Sequence, residues 1–174
     1  MKLNTLFVAC LLAIGMPQGA QAKRAPNLEF KDLAGKSHAV AELRGSIAVV
    51  NFWATWCGPC REEMPMLSKL SQEYGAKKVR FVAASADVPK DQAKIGSFVE
   101  GQHLAIDVWT GADLDMMQRA GLGNVLPATM ILDDQGEIVA RILGQAREED
   151  VRKVLDWLLA GKPSPAPPPL TKHY

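Results

Sequence analysis

The chain has 174 residues, enough for one compact domain with short extensions. Hydrophobic residues make up 48% of the chain and charged residues 22%, which excludes a disordered, collagen-like or polytopic membrane protein. Twenty lysines and arginines against nineteen aspartates and glutamates leave a formal net charge of +1, with no long run of either sign, so the composition argues against a nucleic-acid-binding protein.

The first 22 residues have the layout of a secretory signal peptide. A basic start is followed by an apolar stretch over residues 6–14 and by the small-residue sequence Ala20-Gln21-Ala22. The apolar stretch is shorter than the roughly 20 residues that a membrane-spanning helix needs. We therefore predict cleavage before Lys23 and export to the periplasm. The alternative is that the segment is retained as a membrane anchor. After cleavage, Cys57 and Cys60 are the only cysteines left, and they lie in an oxidising compartment.

Between residues 23 and 161 the sequence alternates strand and helix patterns. In chain order these are a hairpin of strands 28–30 and 37–40, a strand 47–53, a helix 57–74, a strand 79–84, a helix 91–100, a short strand 104–108, a helix 113–120, a hairpin of strands 127–132 and 137–143, and a last helix with an apolar stripe over 151–159. The near-continuous apolar run at 47–53 is typical of a central strand covered on both faces. Pro65 lies inside the first helix and predicts a kink there. This order predicts an α/β fold with a mixed sheet flanked by helices.

The C-terminal segment is dense in proline. Residues 163–169 hold five of the eleven prolines of the chain. Proline lacks a backbone N–H and favours polyproline II, so we predict that the domain, residues 23–161, ends near Gly161 and that residues 162–174 form a disordered tail. The tail would be a spacer or, alternatively, a ligand for a partner groove.

The strongest functional pattern is Trp56-Cys57-Gly58-Pro59-Cys60, directly after a predicted buried strand and at the start of a helix. A C-x-x-C in this position is a thioredoxin-like redox motif. Free amides and the helix dipole favour a thiolate at the helix start, so we expect a lowered pKa at Cys57, which would act as the nucleophile. Cys60 is one turn later and can resolve a mixed disulfide.

Two structural roles for the cysteine pair are less consistent with the sequence. A zinc site needs four nitrogen or sulfur ligands, and none of His38, His103 and His173 lies at ligand spacing from another ligand, so no metal is predicted. A permanent disulfide across four residues would close a very small loop with little entropic benefit. Redox exchange is the interpretation that remains.

The stretches 49–65 (VVNFWATWCGPCREEMP) and 126–139 (LPATMILDDQGEIV) closely resemble the exported thioredoxin-like proteins of the TlpA, ResA and CcmG group, and the resemblance extends from about residue 26 to 160. It implies a thioredoxin fold with an N-terminal β-hairpin and a central βα insertion. It also implies a thiol-disulfide oxidoreductase, usually a reductant of chosen proteins.

The resemblance assigns roles to further residues. Pro127 matches a cis-proline that faces the active-site disulfide, and Leu126 would offer its backbone edge to a substrate strand. Glu63 matches a glutamate that exchanges a proton with the second cysteine; the alternative is a solvated helix residue. Asn51 stands where cytosolic thioredoxins keep a buried aspartate, which leaves Glu63 as the candidate acid.

The chain departs from the group at Val125 and between the cysteines, where Gly58-Pro59 stands and the acidic dipeptide of some members is lacking. Val125 replaces a glycine that is common before the cis-proline, so substrate specificity is not defined. Trp56, Gly58 and Pro59 join Leu126 and Pro127 as predicted substrate-binding residues.

The predicted protein is a periplasmic thiol-disulfide oxidoreductase, without a cofactor, that reduces specific protein disulfides. The predicted partners are a disulfide-containing protein, in the context of cytochrome c maturation, and a membrane thiol-disulfide reductase as electron donor; we expect a monomer. Two alternatives remain. One is a Cu(I)-binding chaperone, suggested by Met64 and Met66 near the cysteines. The other is a thiol peroxidase, although its solitary reactive cysteine does not match a pair.

Overall fold

The apolar run predicted as a central strand lies in the middle of a mixed β-sheet. The computed structural model of the chain describes residues 23–173. Its strands are β1 (Lys23–Arg24), β2 (Glu29–Asp32), β3 (Ser37–Ala39), β4 (Ile47–Trp53), β5 (Val79–Ser85), β6 (Asp107–Thr110), β7 (Ala128–Leu132), β8 (Glu137–Gly144) and β9 (Leu170–His173). Its helices are α1 (Gly58–Gly75), α2 (Ala93–Gly101), α3 (Leu114–Arg119) and α4 (Glu148–Leu159), with short 3-10 turns at Val40–Leu43 and Pro89–Asp91.

The strand order is β1-β8-β7-β4-β5-β6-β2-β3, and β9 also pairs with β8. Strands β4, β5 and β6 are parallel, whereas β7 is antiparallel to β4 and β8 is antiparallel to β7. The carboxyl ends of the three parallel strands therefore meet at one end of the sheet, and the cysteine motif follows β4. This is the thioredoxin fold that the resemblance implied.

Successive side chains of a strand point to opposite faces of the sheet, so each face contributes to an apolar cluster of its own. One face, with Val49 and Trp53 of β4, packs against helices α1, α2 and α4, and both cysteines belong to this cluster. The other face, with Val50 and Phe52, packs against α3 and the β2–β3 hairpin. Asn51 has the parity of Val49 and therefore faces the α1 side.

The predicted disordered tail is wrong for residues 162–173. Leu170–His173 forms β9, a strand parallel to Arg141–Gly144 of β8. The Arg141 N–H donates to the carbonyl of Pro169 at 3.0 Å. Proline lacks a backbone N–H, but the last proline of the segment is Pro169. The Pro169 carbonyl and the backbone groups of residues 170–173 can therefore still pair with the edge of a sheet.

Side chains also hold this C-terminal segment to the domain. Lys162 Nζ is 2.6 Å from Asp133 Oδ2, and the Trp157 indole N–H donates to the Pro163 carbonyl at 2.7 Å. His173 Nε2 lies 2.6 Å from a carboxylate oxygen of Asp150 on α4. The segment is thus part of the domain surface.

Two other differences concern a strand that is shifted along the chain and a short strand that was not predicted. The short strand predicted at 104–108 lies at Asp107–Thr110, because pairing with β5 begins at Asp107, opposite Val82. Strand β1, which pairs with Glu137–Ile138, was not predicted. The predicted signal peptide, residues 1–22, lies outside the described residues. Within residues 23–173, no helix is both long enough and apolar enough to cross a membrane.

Candidate active site

Cys57 and Cys60 form a disulfide at the start of α1, with an S–S distance of 2.05 Å and a Cα–Cα distance of 5.3 Å. The two cysteine residues differ in their exposure to solvent. Cys57 is 7% exposed and Cys60 is completely buried. Only Cys57 can therefore meet a partner without rearrangement of the fold.

The backbone explains this arrangement. Cys57 is the N-cap of α1, and its sulfur takes the place of a capping oxygen by accepting the Cys60 N–H at 3.3 Å. Its own N–H donates to the Ala54 carbonyl at 3.1 Å, which closes the turn after β4. Pro59 fits the first turn because an N–H there would have no partner within the helix. An amide donor aimed at the sulfur favours a thiolate once the disulfide is reduced.

Glu63 lies one turn after Cys60 and is only 2% exposed, so it is not the solvated residue of the alternative interpretation. The Asn51 side-chain amide donates to its Oε1 at 2.7 Å, and the Ala146 N–H donates to its Oε2 at 2.5 Å. Burial raises the pKa of Glu63 to about 7, against the opposing effect of these two donors. A carboxyl group in this state can gain or lose a proton near neutral pH.

The loop before β7 has the expected geometry. The Leu126–Pro127 peptide bond is cis. Leu126 is partly buried and packs against the cluster that contains both cysteines. The Pro127 carbonyl accepts the Gly144 N–H at 3.0 Å. Gly144 lies two residues before Ala146, whose N–H donates to Glu63. Val125 is exposed.

The residues next to the cysteines offer an apolar surface. Trp56 is 67% exposed, an unusual environment for a tryptophan, and it directly precedes Cys57. Gly58 has open space where a Cβ would be, and Pro59 is exposed as well. An exposed aromatic ring beside a reactive sulfur is suited to contact with another protein.

The structure adds a residue that the sequence analysis missed. Asp87 follows β5 and is buried, and its carboxylate accepts the Thr55 N–H at 2.9 Å and the Thr55 hydroxyl at 2.6 Å. The Ser85 hydroxyl also donates to it at 2.7 Å. These bonds fix the loop two residues before Cys57. An aspartate at the end of an apolar strand was the available signal in the sequence.

Two further findings concern metal binding. Among the described residues, no three histidine, cysteine, aspartate or glutamate side chains lie close enough together to hold a metal ion. Met64 is completely buried in the apolar cluster, as expected for a core residue.

Comparison with known proteins gives the same family. The redoxin family profile matches residues 20–158. The thiol-disulfide oxidoreductase ResA of Bacillus thuringiensis (strain Al Hakam) is 32% identical over 133 residues, which are 76% of this chain and 75% of that protein. The thioredoxin-like protein YneN of Bacillus subtilis (strain 168) is 29% identical over 148 residues, 82% of this chain and 81% of that protein.

Solved structures agree on the fold. A putative thiol:disulfide interchange protein DsbE from Chlorobium tepidum matches with a TM-score of 0.68 at 20% identity, covering 81% of this chain and 96% of that one. A putative thioredoxin from Neisseria meningitidis matches with a TM-score of 0.67 at 26% identity, covering 80% and 92%. With the cysteine pair at the start of α1, these matches show that the chain belongs to the redoxin family, as a TlpA/ResA/CcmG-like thiol-disulfide oxidoreductase with a thioredoxin fold.

Proposed function

We propose that the protein is an exported, periplasmic reductant of specific protein disulfides, with Cys57 as nucleophile and Cys60 as resolving cysteine. The observation that carries this proposal is the asymmetry of the pair: Cys57, which is slightly exposed and whose sulfur receives an amide hydrogen, is bonded to the fully buried Cys60. Gly58-Pro59 between the cysteines is the thioredoxin-type pair, and thioredoxin has a reduction potential of about −270 mV, which favours reduction of clients.

The proposed reaction has two exchange steps. In the reduced protein, the Cys57 thiolate attacks one sulfur of a client disulfide. The client S–S bond breaks, a mixed disulfide forms, and the released client thiolate takes up a proton. Cys60 then loses its proton and attacks the Cys57 sulfur, which releases the second client thiolate and forms the Cys57–Cys60 disulfide. Two electrons pass from the protein to the client.

Glu63 is the proposed acceptor of the Cys60 proton. It lies one helical turn from Cys60, it is buried, and its pKa of about 7 suits transfer in either direction near neutral pH. We propose that the client backbone binds along Leu126 and Pro127. The surrounding apolar contact surface is formed by Trp56, Gly58 and Pro59.

The proposed partners follow from this direction of electron flow. Clients would be exported proteins whose cysteines must be kept reduced, such as those of cytochrome c maturation. A membrane thiol-disulfide reductase would restore the Cys57–Cys60 dithiol. We propose a monomeric protein, because each exchange uses one cysteine pair and one client.

The reduction of insulin, followed by turbidity, tests the proposal. Cys57→Ser should remove the activity completely because no thiolate remains to attack. Cys60→Ser should stall the reaction at the mixed disulfide, which a gel shift detects under non-reducing conditions. Full activity of Cys57→Ser would contradict the assignment. A reduction potential well above that of glutathione would contradict the direction of electron flow.

A further inference from the structure

Asn51 and Thr129 connect Glu63 to the strand that follows the cis-proline. Strands β4 and β7 place Asn51 directly opposite Thr129. The Asn51 Nδ2 group donates to Thr129 Oγ1 at 3.0 Å and to Glu63 Oε1 at 2.7 Å. All three side chains are buried. One amide group therefore divides its two hydrogens between the hydroxyl and the carboxyl group.

The oxygen of the same amide is left without a partner. Within residues 23–173, Asn51 Oδ1 is buried and accepts no hydrogen bond. An unsatisfied buried polar atom costs about 1–3 kcal/mol. In this orientation the amide offers Glu63 Oε1 a donor, whereas an O–H formed on that oxygen would need an acceptor, and Oδ1 faces elsewhere without a partner.

We propose that the Asn51 amide turns over when Glu63 takes up a proton, so that Asn51 is a positioning residue that serves both protonation states of the carboxyl group. In the ionised state, Nδ2 faces Glu63 and Thr129, as observed. In the protonated state, Oδ1 accepts the new Glu63 O–H. The Thr129 hydroxyl, which can accept or donate, then donates to Oδ1. This inference rests on the proposed role of Glu63 in proton transfer.

The charged groups around Glu63 are directed elsewhere. On α1, Glu62 is exposed and receives a hydrogen bond from Gln145 at 3.4 Å, while Arg61 lies over the Phe98 ring at 5.7 Å. On the segment before α4, Arg147 is exposed. The facing residues of β4 and β7, Asn51 and Thr129, carry no charge. Cys60, which is also buried on this part of α1, is held in the disulfide with Cys57 and does not titrate in the oxidised protein.

Nuclear magnetic resonance of the oxidised wild-type protein tests this directly. The side-chain carboxyl carbon of Glu63 should titrate with a midpoint near 7. Both Asn51 side-chain amide hydrogens should shift with the same midpoint. The hydrogen that faces Thr129 is decisive, because it keeps its acceptor if only the Glu63 contact changes and loses it if the amide turns.

Asn27 is the internal control. Its side-chain amide donates to Glu29 at 3.4 Å on the exposed surface, so its signals should show no step near pH 7. In Glu63→Gln, the step of the Asn51 signals should disappear.

A Thr129-facing hydrogen that stays constant through the Glu63 titration would overturn the inference. The role of Glu63 itself is read separately. If Glu63→Gln reduces insulin with the same pH dependence as the wild type, the proposed proton transfer fails, whatever the Asn51 signals show.

Discussion

Cys57 caps a helix with its sulfur, and its reactivity follows from that position. The amide of Cys60 points at this sulfur, and the side chain is accessible, whereas Cys60 is enclosed by the core. The amide hydrogen bond and the exposure to solvent therefore both favour Cys57 as the attacking cysteine.

We predict that iodoacetamide modifies Cys57 of the reduced protein at pH 6 faster than it modifies free cysteine, and that Cys60 reacts much more slowly. The helix start favours the thiolate of Cys57, and burial protects Cys60. Mass spectrometry of peptides after short exposure measures both rates. Equal rates for Cys57 and free cysteine would remove the physical basis of the proposed mechanism.

Glu63 imposes a pH dependence on stability. Its pKa is about 7 in the folded protein, against an ordinary value of 4.5. Between these values the folded state holds a proton that the unfolded state has lost, so the free energy of unfolding falls as pH rises from about 4.5 to 7. The total effect is on the order of 3 kcal/mol.

The variant Glu63→Gln should therefore differ from the wild type in a pH-dependent way. At pH 4, Glu63 is protonated in both the folded and the unfolded protein, so the wild type does not bear the cost of burying an ionised carboxylate. At pH 8 the variant should be relatively more stable by about 3 kcal/mol, because it has no charge to bury. Chemical denaturation at several pH values measures this difference, with Glu62→Gln as the exposed control. A constant difference between pH 4 and 8 would show that Glu63 does not titrate as stated.

At the scale of elements, the end of β8 connects three parts of the site. Gly144 donates its N–H to the Pro127 carbonyl and pairs with His173 of β9. It lies two residues before Ala146, whose N–H donates to Glu63. Gly144 has φ of +88°, and a Cβ there would overlap with the backbone oxygen of His173. A side chain at this position conflicts with both the turn and the docking of β9.

The pair Gly144→Ala and Gly123→Ala separates these two effects. Gly123 also has a positive φ, +73°, but open space where a Cβ would be. Gly123→Ala should cost about 1 kcal/mol from backbone strain alone. Gly144→Ala should cost at least about 1 kcal/mol more and should increase hydrogen exchange in residues 170–173. Equal costs for the two variants would mean that β9 does not pack against Gly144.

At the scale of the whole molecule, β9 covers residues 141–144 of the β8 edge, a part that β1 leaves open. An unpaired strand edge is a template for association with other chains. The segment reaches this edge through a proline-rich stretch, and three side-chain contacts along the way hold it to the domain.

Removal of residues 162–174 should therefore destabilise the protein without removing its redox chemistry. We expect a loss of about 2 kcal/mol from the ladder bonds and side-chain contacts, which lowers Tm by roughly 4–8 °C. Concentration-dependent association through β8 should appear in gel filtration. Insulin reduction below the new Tm should persist. An unchanged Tm would show that the segment adds nothing to the domain.

Much of the molecule could be predicted from local patterns. The cysteine motif, the start of α1 and the central strand are each encoded within a few consecutive residues, so spacing and hydrophobicity were sufficient to identify them. The resemblance added the cis-proline and Glu63, and the structure agrees on the cis bond and on the burial of the carboxyl group.

The rest depended on contacts between distant parts of the chain. Glu63 receives hydrogen bonds from residues 12 and 83 positions away, and these set its environment. The C-terminal segment was predicted as disordered from its prolines, yet residues 170–173 find the edge of β8 across the fold. By itself, the sequence determined which atoms can exchange a disulfide, because that chemistry is local. Only the tertiary structure decided which sulfur is accessible, which groups hold the acid and where the tail lies, because burial and hydrogen bonding arise when distant segments pack together.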